Sequence, residues 1–454
     1  MKRIISIVLA LLPSFLMCAQ SLTGSWNGSI NIGKNSLPVV LHISMENGEN
    51  KCLMDSPDQG VKGVETVIDY IDKDSLAFRV PAIGVSYNGK LADGQLKGTF
   101  CQSGMRFTLN FKPGDFVRVR KQTPRMPLAY PTEEVTFENK KDHAVLSGTV
   151  SYPATYTTQK KVPVVLLVTG SGQQNRDEEA MDHKPFAVLA DYLAKMGIAS
   201  LRYDDRGFGK STGDLNNATS HTFMTDALAG VEYLKSTGKF SKIGIIGHSE
   251  GGLIAFMLAA ANPEDVDFIV SLAGSSVRGD EILIKQNEMM LSANPFTAPV
   301  SKSYCMVMKK VLQHLIEEKP VNNAKDIVDR YNKEVGANLP EAFLKNLQTI
   351  LVTSNPWLKY FISYDPSDAI SKISCPVMAI NGEKDTQVDA AMNLGALRQL
   401  LPANPGNLIK SYPGLNHLFQ HCTTGQVNEY ATIEETISTE VLGDIAQWIN
   451  EQFS

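Results

Sequence analysis

Gly247-His248-Ser249-Glu250-Gly251-Gly252 predicts the fold of this chain. The stretch fits the pattern Gly-x-Ser-x-Gly, in which a serine occupies a sharp turn between a strand and a helix. The glycines are needed because larger side chains would clash in such a turn. Residues 242–246 are predicted to form the strand, and the apolar residues 251–261 the helix. Because the turn lifts the serine oxygen clear of the sheet, we predict that Ser249 is a catalytic nucleophile.

A second match to the same pattern occurs at Gly209-Lys210-Ser211-Thr212-Gly213. Its serine lies in a polar loop beyond the nearest predicted strand, so the strand-to-helix context is missing. The first three residues also resemble the end of a phosphate-binding loop. However, Asp204 stands where such a loop requires glycine, and Asp204 and Asp205 would repel phosphate. We therefore predict neither a nucleophile nor a nucleotide site at Ser211.

A nucleophilic serine needs a histidine as base, and the base needs a carboxylate that orients it. In hydrolases with this turn, the acid and then the histidine follow at the ends of late strands. Asp385 follows the predicted strand 377–380, and His417 follows the predicted strand 407–412. We therefore predict a triad of Ser249, Asp385 and His417.

Four other side chains compete for the two supporting roles. Glu383 and Asp389 flank the predicted acid, but Asp389 suits the start of the next helix, where a carboxylate stabilises the helix dipole. His314 falls within an insertion, and His421 lies one turn beyond His417. Position relative to the strands favours Asp385 and His417.

Acyl transfer also needs an oxyanion hole, which is a pair of backbone N–H groups that bind the negative charge of the intermediate. The residue after the nucleophile, Glu250, supplies one of them. The loop Thr169-Gly170-Ser171-Gly172-Gln173 follows the third strand, and Ser171 occupies the position expected for the other donor. Gln173 is an alternative or additional contributor.

From Glu134 onwards, strands alternate with helix-length segments, which predicts a mostly parallel sheet. The predicted elements include a leading hairpin at 135–137 and 144–152, a strand at 268–272 and a last helix at 433–453. The alternation is interrupted over about residues 277–364, a helical segment rich in Met that we predict to be a cap over the sheet. Apolar side chains of this cap are expected either to line a substrate pocket or to pack the cap helices against one another. The residues that we predict for a substrate pocket are Gln173, Met289, Met290, Trp357 and Phe361.

Residues 21–115 predict a separate, all-β domain. Short segments rich in β-branched and aromatic residues end at Gly, Asn, Asp or Pro, which indicates seven or eight strands in a small barrel or sandwich. This domain is a candidate for contact with a glycan or a lipid. Residues 116–131, rich in Pro and Arg, predict a linker to the domain at 132–454.

Two basic residues precede the apolar run at 4–17, which predicts an export signal over residues 1–20. The run is shorter than the ~20 residues that a membrane-spanning helix needs. Met17 precedes Cys18 where lipoprotein signals carry a small residue, which argues against a lipid anchor. We predict a periplasmic or secreted protein without a membrane span.

The 454 residues have the composition of a globular protein, with 43% hydrophobic and 20% charged residues. A net charge of −5 and the lack of Lys or Arg runs argue against nucleic-acid binding. The six cysteines include no Cys-x-x-Cys pair, so neither a metal site nor a disulfide scaffold is supported. A bridge between Cys52 and Cys101 and the oligomeric state stay open. We expect a reaction without metal or organic cofactor.

As an ordered set, these motifs resemble those of the α/β-hydrolase superfamily, and within it the EstD-like bacterial carboxylesterases, which are related to serine aminopeptidase-type hydrolases. The resemblance covers about residues 132–454. The matching stretches are 168–178, 202–207, 247–252, 381–385 and 415–420. It implies an α/β-hydrolase fold with a helical cap behind a small all-β domain. It also implies hydrolysis of short to medium acyl esters through an acyl-enzyme on Ser249. Gln174 stands where these relatives are expected to have proline.

Three alternatives to a carboxylesterase stay open. A peptidase or amidase with the same triad would need an anchor for a peptide amine, which Asp177, Glu178 and Glu179 could supply. An acyltransferase would pass the acyl group to an alcohol other than water. A binding protein with a vestigial hydrolase is the third, and the intact triad argues against it.

Overall fold

The structure is a computed structural model that describes residues 22–33, 35–59, 61–116 and 118–453. The predicted export signal and Cys18 lie outside the described residues. The chain divides into two compact units, the first ending at Arg118 and the second starting at Val119. Among the described residues, no helix combines the length and apolarity that a membrane crossing needs.

The first unit is an antiparallel meander of nine strands that nearly closes into a barrel, which confirms the all-β prediction. The sheet order is β4-β3-β2-β1-β9-β8-β7-β6-β5. β1 pairs with β9, and all other neighbouring strands are consecutive in the chain. They are β1 (Gly24–Ile32), β2 (Asn35–Glu46), β3 (Glu49–Ser56), β4 (Val61–Glu65), β5 (Val67–Ile71), β6 (Ser75–Val80), β7 (Val85–Ala92), β8 (Gln95–Gln102) and β9 (Met105–Pro113).

The barrel core consists of alternate side chains of these strands, because successive residues of a strand point to opposite faces. Trp26 is almost fully buried and donates its indole N–H to the backbone carbonyl of Leu22. The unit has nine strands where the sequence predicts seven or eight, and mostly polar β3, with Cys52, Met54 and Ser56 buried, gives little apolar pattern. Cys52 and Cys101 are both free thiols, so the bridge left open above is not formed. Burial raises the pKa of the Cys52 thiol to about 11.

The second unit is built on an eight-stranded mixed sheet of the order β10-β11-β13-β12-β14-β15-β16-β17. β10 and β11 form the predicted antiparallel hairpin, and β12 to β17 pair in parallel. The strands are β10 (Thr132–Asn139), β11 (Ala144–Ser151), β12 (Val162–Val168), β13 (Ala199–Tyr203), β14 (Phe240–His248), β15 (Phe268–Leu272), β16 (Val377–Gly382) and β17 (Leu408–Tyr412).

Helices cover both faces of this sheet, as its continuously apolar strands require. Val164 and Leu166 pack with α2 (Ser220–Ser236) and α3 (Glu250–Ala261), whereas Val165 and Leu167 pack on the opposite face. The helices of that opposite face are α1 (Pro185–Lys195) and α11 (Thr439–Phe453). Two further helices complete the α/β part of the unit, and they are α9 (Ser367–Ile370) and α10 (Ala390–Leu400).

Of the six helices between β15 and β16, five lie in the segment where the sequence predicts a cap. They pack on one another through a shared apolar core that is continuous with the core under α2 and α3. These cap helices are α4 (Gly279–Ala293), α5 (Ala298–Ile316), α6 (Ala324–Glu334), α7 (Glu341–Thr353) and α8 (Pro356–Ser363).

Two differences from the sequence predictions involve Gln122. The last helix was predicted from Ile433 but begins at Thr439. Gln122 explains part of this difference, because its side-chain oxygen accepts from the backbone N–H groups of Thr436 and Ile437, which are therefore not available to a helix. Gln122 belongs to the segment predicted as a linker, which from residue 119 onwards is part of the second unit.

Candidate active site

Ser249 lies in a strained turn between β14 and α3, with φ 55° and ψ −118°. The neighbouring glycines are required by sterics. A Cβ added at Gly247 would lie 2.1 Å from the carbonyl oxygen of Gly251, and one added at Gly251 would lie 2.1 Å from that of Val168. The turn is also held from outside, because the backbone N–H of Ser249 donates to the carbonyl of Leu272 on β15 at 2.9 Å. This geometry is that of the predicted strand-to-helix turn.

Asp385 and His417 meet at the carboxyl ends of β16 and β17. His417 Nδ1 donates to Asp385 Oδ2 at 2.7 Å, and both side chains are almost fully buried. The other carboxylate oxygen, Oδ1, accepts from the backbone N–H groups of Gln387 at 2.7 Å and Val388 at 2.9 Å. These bonds orient the carboxylate, and the carboxylate in turn orients the imidazole.

Glu178 and His248 form a buried pair beside His417. His248 Nδ1 lies 2.9 Å from Glu178 Oε1, and His248 Nε2 lies 3.0 Å from the backbone oxygen of His417. Glu178 Oε1 also accepts from the backbone N–H of Gly170 in the expected oxyanion loop. Burial lowers the pKa of His248, but the attraction of Glu178 and these hydrogen bonds outweigh it, so the pKa is raised overall. Sequence reasoning missed this pair.

Of the two residues expected to supply the oxyanion donors, Ser171 lines the pocket and Glu250 directly follows Ser249 in the chain. Within the described residues, the backbone N–H groups of Ser171 and Glu250 have no hydrogen-bond partner. The Glu250 carboxylate is buried and accepts from three side chains: Ser171 Oγ at 2.7 Å, Ser220 Oγ at 2.6 Å and Trp357 Nε1 at 2.9 Å. One carboxylate therefore joins the oxyanion loop, α2 and cap helix α8.

Asp205 lies directly behind the oxyanion loop. Thr169 Oγ1 and the backbone N–H of Gln174 each donate to its carboxylate at 2.8 Å. Burial raises the pKa of Asp205 to about 7, against these hydrogen bonds. The proline expected at position 174 has no backbone N–H, so it could not form the hydrogen bond that Gln174 donates to Asp205. The departure from the family pattern thus adds a contact that holds the loop.

A pocket of about 370 Å³ contains Ser249 and His417 and is otherwise mostly apolar. Gly170 and Ser171 line one side, and Trp357 and Phe361 of the cap line another, with their rings stacked at 5.5 Å. The remaining predicted pocket residues lie elsewhere. Met290 lines a neighbouring cleft, Met289 lines neither space, and Gln173 donates to the carbonyl of Arg206.

The competing residues of the sequence analysis have other partners. Ser211 is buried, and its hydroxyl donates to the carbonyl of Asp204 and accepts from the backbone N–H of Ser147. The other four side chains are each tied to a residue outside the pocket. His314 contacts Tyr331, His421 contacts Glu435, Asp389 caps α10 at Met392, and Glu383 accepts from Ser411.

The acidic run that could have anchored a peptide amine is also engaged. Asp177 pairs with Arg202, and Glu179 pairs with Lys184 at 3.3 Å. Glu178 is committed to His248, as described above. In the described part of the chain, no cluster of three or more His, Cys, Asp or Glu side chains is arranged to hold a metal ion.

The sheet order, the serine turn and the buried acid–histidine pair are those of an α/β-hydrolase. The chain belongs to the hydrolase family described as serine aminopeptidase, S33, whose model matches residues 182–421. It is an EstD-like member of this fold.

Individual relatives are distant. The chain is 24% identical over 291 residues to the esterase EstD of Thermotoga maritima, with 63% of this chain and 62% of that protein covered. It is 37% identical over 95 residues to an acyl transferase of Shewanella hanedai, covering 21% of this chain and 29% of that protein. The chain thus spans less than two thirds of the length of either relative. Among solved structures, Est1E of Butyrivibrio proteoclasticus with bound ferulic acid is similar, with 17% identity, a TM-score of 0.41, and 70% of this chain and 98% of Est1E covered.

Proposed function

We propose that this chain is a serine carboxylesterase that hydrolyses esters of short to medium acyl chains. The observation that carries the proposal is the pocket in which the strained Ser249 turn and the Asp385-oriented His417 face the same space. The similarity to the esterase EstD supports the same assignment.

In the proposed reaction, Ser249 Oγ attacks the ester carbonyl while His417 takes its proton, and Asp385 stabilises the imidazolium that forms. The carbonyl oxygen becomes negative and is bound by the backbone N–H groups of Ser171 and Glu250. Removing one such donor typically lowers kcat ~10²- to 10³-fold. His417 then protonates the leaving alcohol. In the second half, His417 takes a proton from water as the water attacks the acyl-enzyme, and returns it to Ser249 Oγ as the bond to the acyl group breaks.

The pocket supports the acyl part of the proposal. Trp357 and Phe361 present an apolar wall beside the serine, and the volume of about 370 Å³ suits a small acyl group. The peptidase alternative has less support, because each of the three acidic residues that could bind a peptide amine is already paired. The acyltransferase alternative differs only in the acceptor of the acyl group.

The test is hydrolysis of p-nitrophenyl acetate, butyrate and octanoate, beside aminoacyl p-nitroanilides. Ser249→Ala should lower ester turnover by at least about 10⁴-fold, because the triad acts as a unit. Ser211→Ala is the matched control, since Ser211 lies in the second match to the Gly-x-Ser-x-Gly pattern. It should retain turnover and lose about 1–3 kcal/mol of stability with its two buried hydrogen bonds. Turnover of the anilides alone, or activity that survives Ser249→Ala, would contradict the proposal.

A further inference from the structure

A second cleft adjoins the catalytic pocket. Its volume is about 710 Å³, and it lies between cap helix α4 and the loops that follow β16 and β17. Three residues line both spaces: Gln286 of α4, Gln387 after β16 and Val427 after β17. A molecule with one end at Ser249 can therefore extend into the cleft without leaving the protein surface.

Side-chain amides are the main polar groups of the cleft. Among the described residues that line it, none is charged, and six carry an amide. These six are Gln286, Asn287, Asn294, Gln387, Gln426 and Asn428. The lining also includes the hydroxyl of Thr386 and the apolar side chains of Met290 and Pro295. The catalytic pocket carries three amides, Gln174, Gln286 and Gln387, and it shares the last two with the cleft.

Several of these amides are not used by the fold. Asn287 donates to the carbonyl of Leu283, and Gln387 donates to the Tyr430 hydroxyl at 3.2 Å. By contrast, within the part of the chain that the structure describes, the side chains of Gln286, Gln426 and Asn428 form no hydrogen bond. Their donors and acceptors are available to a ligand.

Amide side chains select a particular ligand chemistry. Each amide offers two N–H donors and one carbonyl acceptor, which matches hydroxyl groups that both donate and accept. A charged ligand would find no counter-charge in this cleft. An apolar ligand would remove water from the amides without replacing its hydrogen bonds, which costs free energy. The ligand that fits this cleft is neutral and carries several hydroxyl groups.

We propose that this amide-lined cleft binds the alcohol part of the ester as a sugar, so that the substrate class is O-acylated carbohydrate. This inference depends on the proposed esterase function. The acyl group lies against Trp357 and Phe361, the ester carbonyl lies at Ser249, and the sugar extends past Gln286 and Gln387 towards Gln426.

The test compares two esters of the same acid, 6-O-butyrylglucose and p-nitrophenyl butyrate. The variants are Gln286→Met, Gln426→Met and the pair, because methionine keeps the length of glutamine and removes its hydrogen bonds. Loss of one hydrogen bond to the sugar should lower kcat/KM for butyrylglucose by about two- to tenfold. The ratio of kcat/KM for butyrylglucose to that for p-nitrophenyl butyrate should fall by this factor in each single variant, and further in the pair.

Gln399→Met is the matched control, because Gln399 is exposed on α10 and lines neither space. It should leave the ratio unchanged. An unchanged ratio in the paired variant would overturn the sugar site, as would a wild-type protein that cleaves p-nitrophenyl butyrate but not butyrylglucose. Failure to cleave either ester, with Ser249→Ala indistinguishable from wild type, would instead overturn the esterase proposal itself.

Discussion

Glu178 and His248 connect the separate parts of the candidate site, although neither belongs to the candidate triad. Both nitrogens of the His248 ring face acceptors, one a carboxylate and the other the backbone oxygen of His417. A ring that donates from both nitrogens is an imidazolium, which agrees with its raised pKa. Since Glu178 also binds the backbone of Gly170, we infer that the pair positions the His417 loop relative to the oxyanion loop.

Glu178→Gln tests this positioning role, because it keeps the shape of the side chain and removes its charge. The pKa of His248 should then fall, since burial would no longer be outweighed. We expect kcat/KM for p-nitrophenyl butyrate to fall about tenfold, as for a lost hydrogen bond to a charged group. Histidine ring signals in an NMR titration would report the change of the His248 pKa directly.

Stability should depend on pH in a defined direction. A histidine whose pKa is raised in the folded state stabilises the protein fully below its unfolded pKa of about 6.5. That contribution is lost as the pH rises through the folded pKa. The gap in unfolding free energy between wild type and Glu178→Gln should therefore narrow with rising pH. Glu179→Gln, which alters the exposed carboxylate next in sequence, is the control. A difference in unfolding free energy between wild type and Glu178→Gln that is constant with pH would contradict the imidazolium pair.

The turn around Ser249 shows which elements the local sequence determines. α3 and β15 lie within one residue of their predicted limits, because an apolar run is bounded on each side by residues that stop it. Elements whose limits depend on distant partners were predicted less well. α11 starts late because Gln122, more than three hundred residues earlier, binds the backbone that precedes it.

Gly247→Ala should disrupt the turn. The added Cβ would meet the carbonyl oxygen of Gly251 at 2.1 Å, and backbone atoms on both sides of the strained serine have little freedom to move. We expect a loss of at least about 2 kcal/mol in unfolding free energy, with loss of ester hydrolysis. Urea denaturation and p-nitrophenyl butyrate turnover measure the two effects.

Gly395→Ala is the control for this experiment. Gly395 lies within α10, and a Cβ added there meets no atom within 4 Å. Alanine should stabilise the helix by about 0.5–1 kcal/mol and leave turnover unchanged. If Gly247→Ala had no larger effect than Gly395→Ala, the steric explanation of the turn would be wrong.

The molecule as a whole consists of two units with separate hydrophobic cores. The candidate triad, the oxyanion loop, the catalytic pocket and the amide-lined cleft all belong to residues 119–454. Contact of the barrel with a glycan or lipid stays a prediction from the sequence.

A fragment of residues 119–454 should therefore fold and hydrolyse p-nitrophenyl butyrate with a kcat within about twofold of the full chain, as expected for a domain with its own core. Circular dichroism would establish that the fragment is folded, and the same fragment with Ser249→Ala would give the background rate. A folded fragment with greatly reduced turnover would show that the barrel takes part in the reaction.

The amino-acid sequence by itself predicted the alternation of strands and helices in the second unit and proposed Ser249, Asp385 and His417 as a triad. It could do so because each of these residues lies within about five residues of the end of a recognisable strand, and the carboxyl ends of parallel strands meet at one edge of a sheet. Tertiary structure alone decided what surrounds them. His248 meets partners 70 and 169 residues away in the chain, and the cleft combines amides from three distant segments. Such contacts leave no local pattern, because they depend on how the cap and loops pack, and packing is decided by the whole unit.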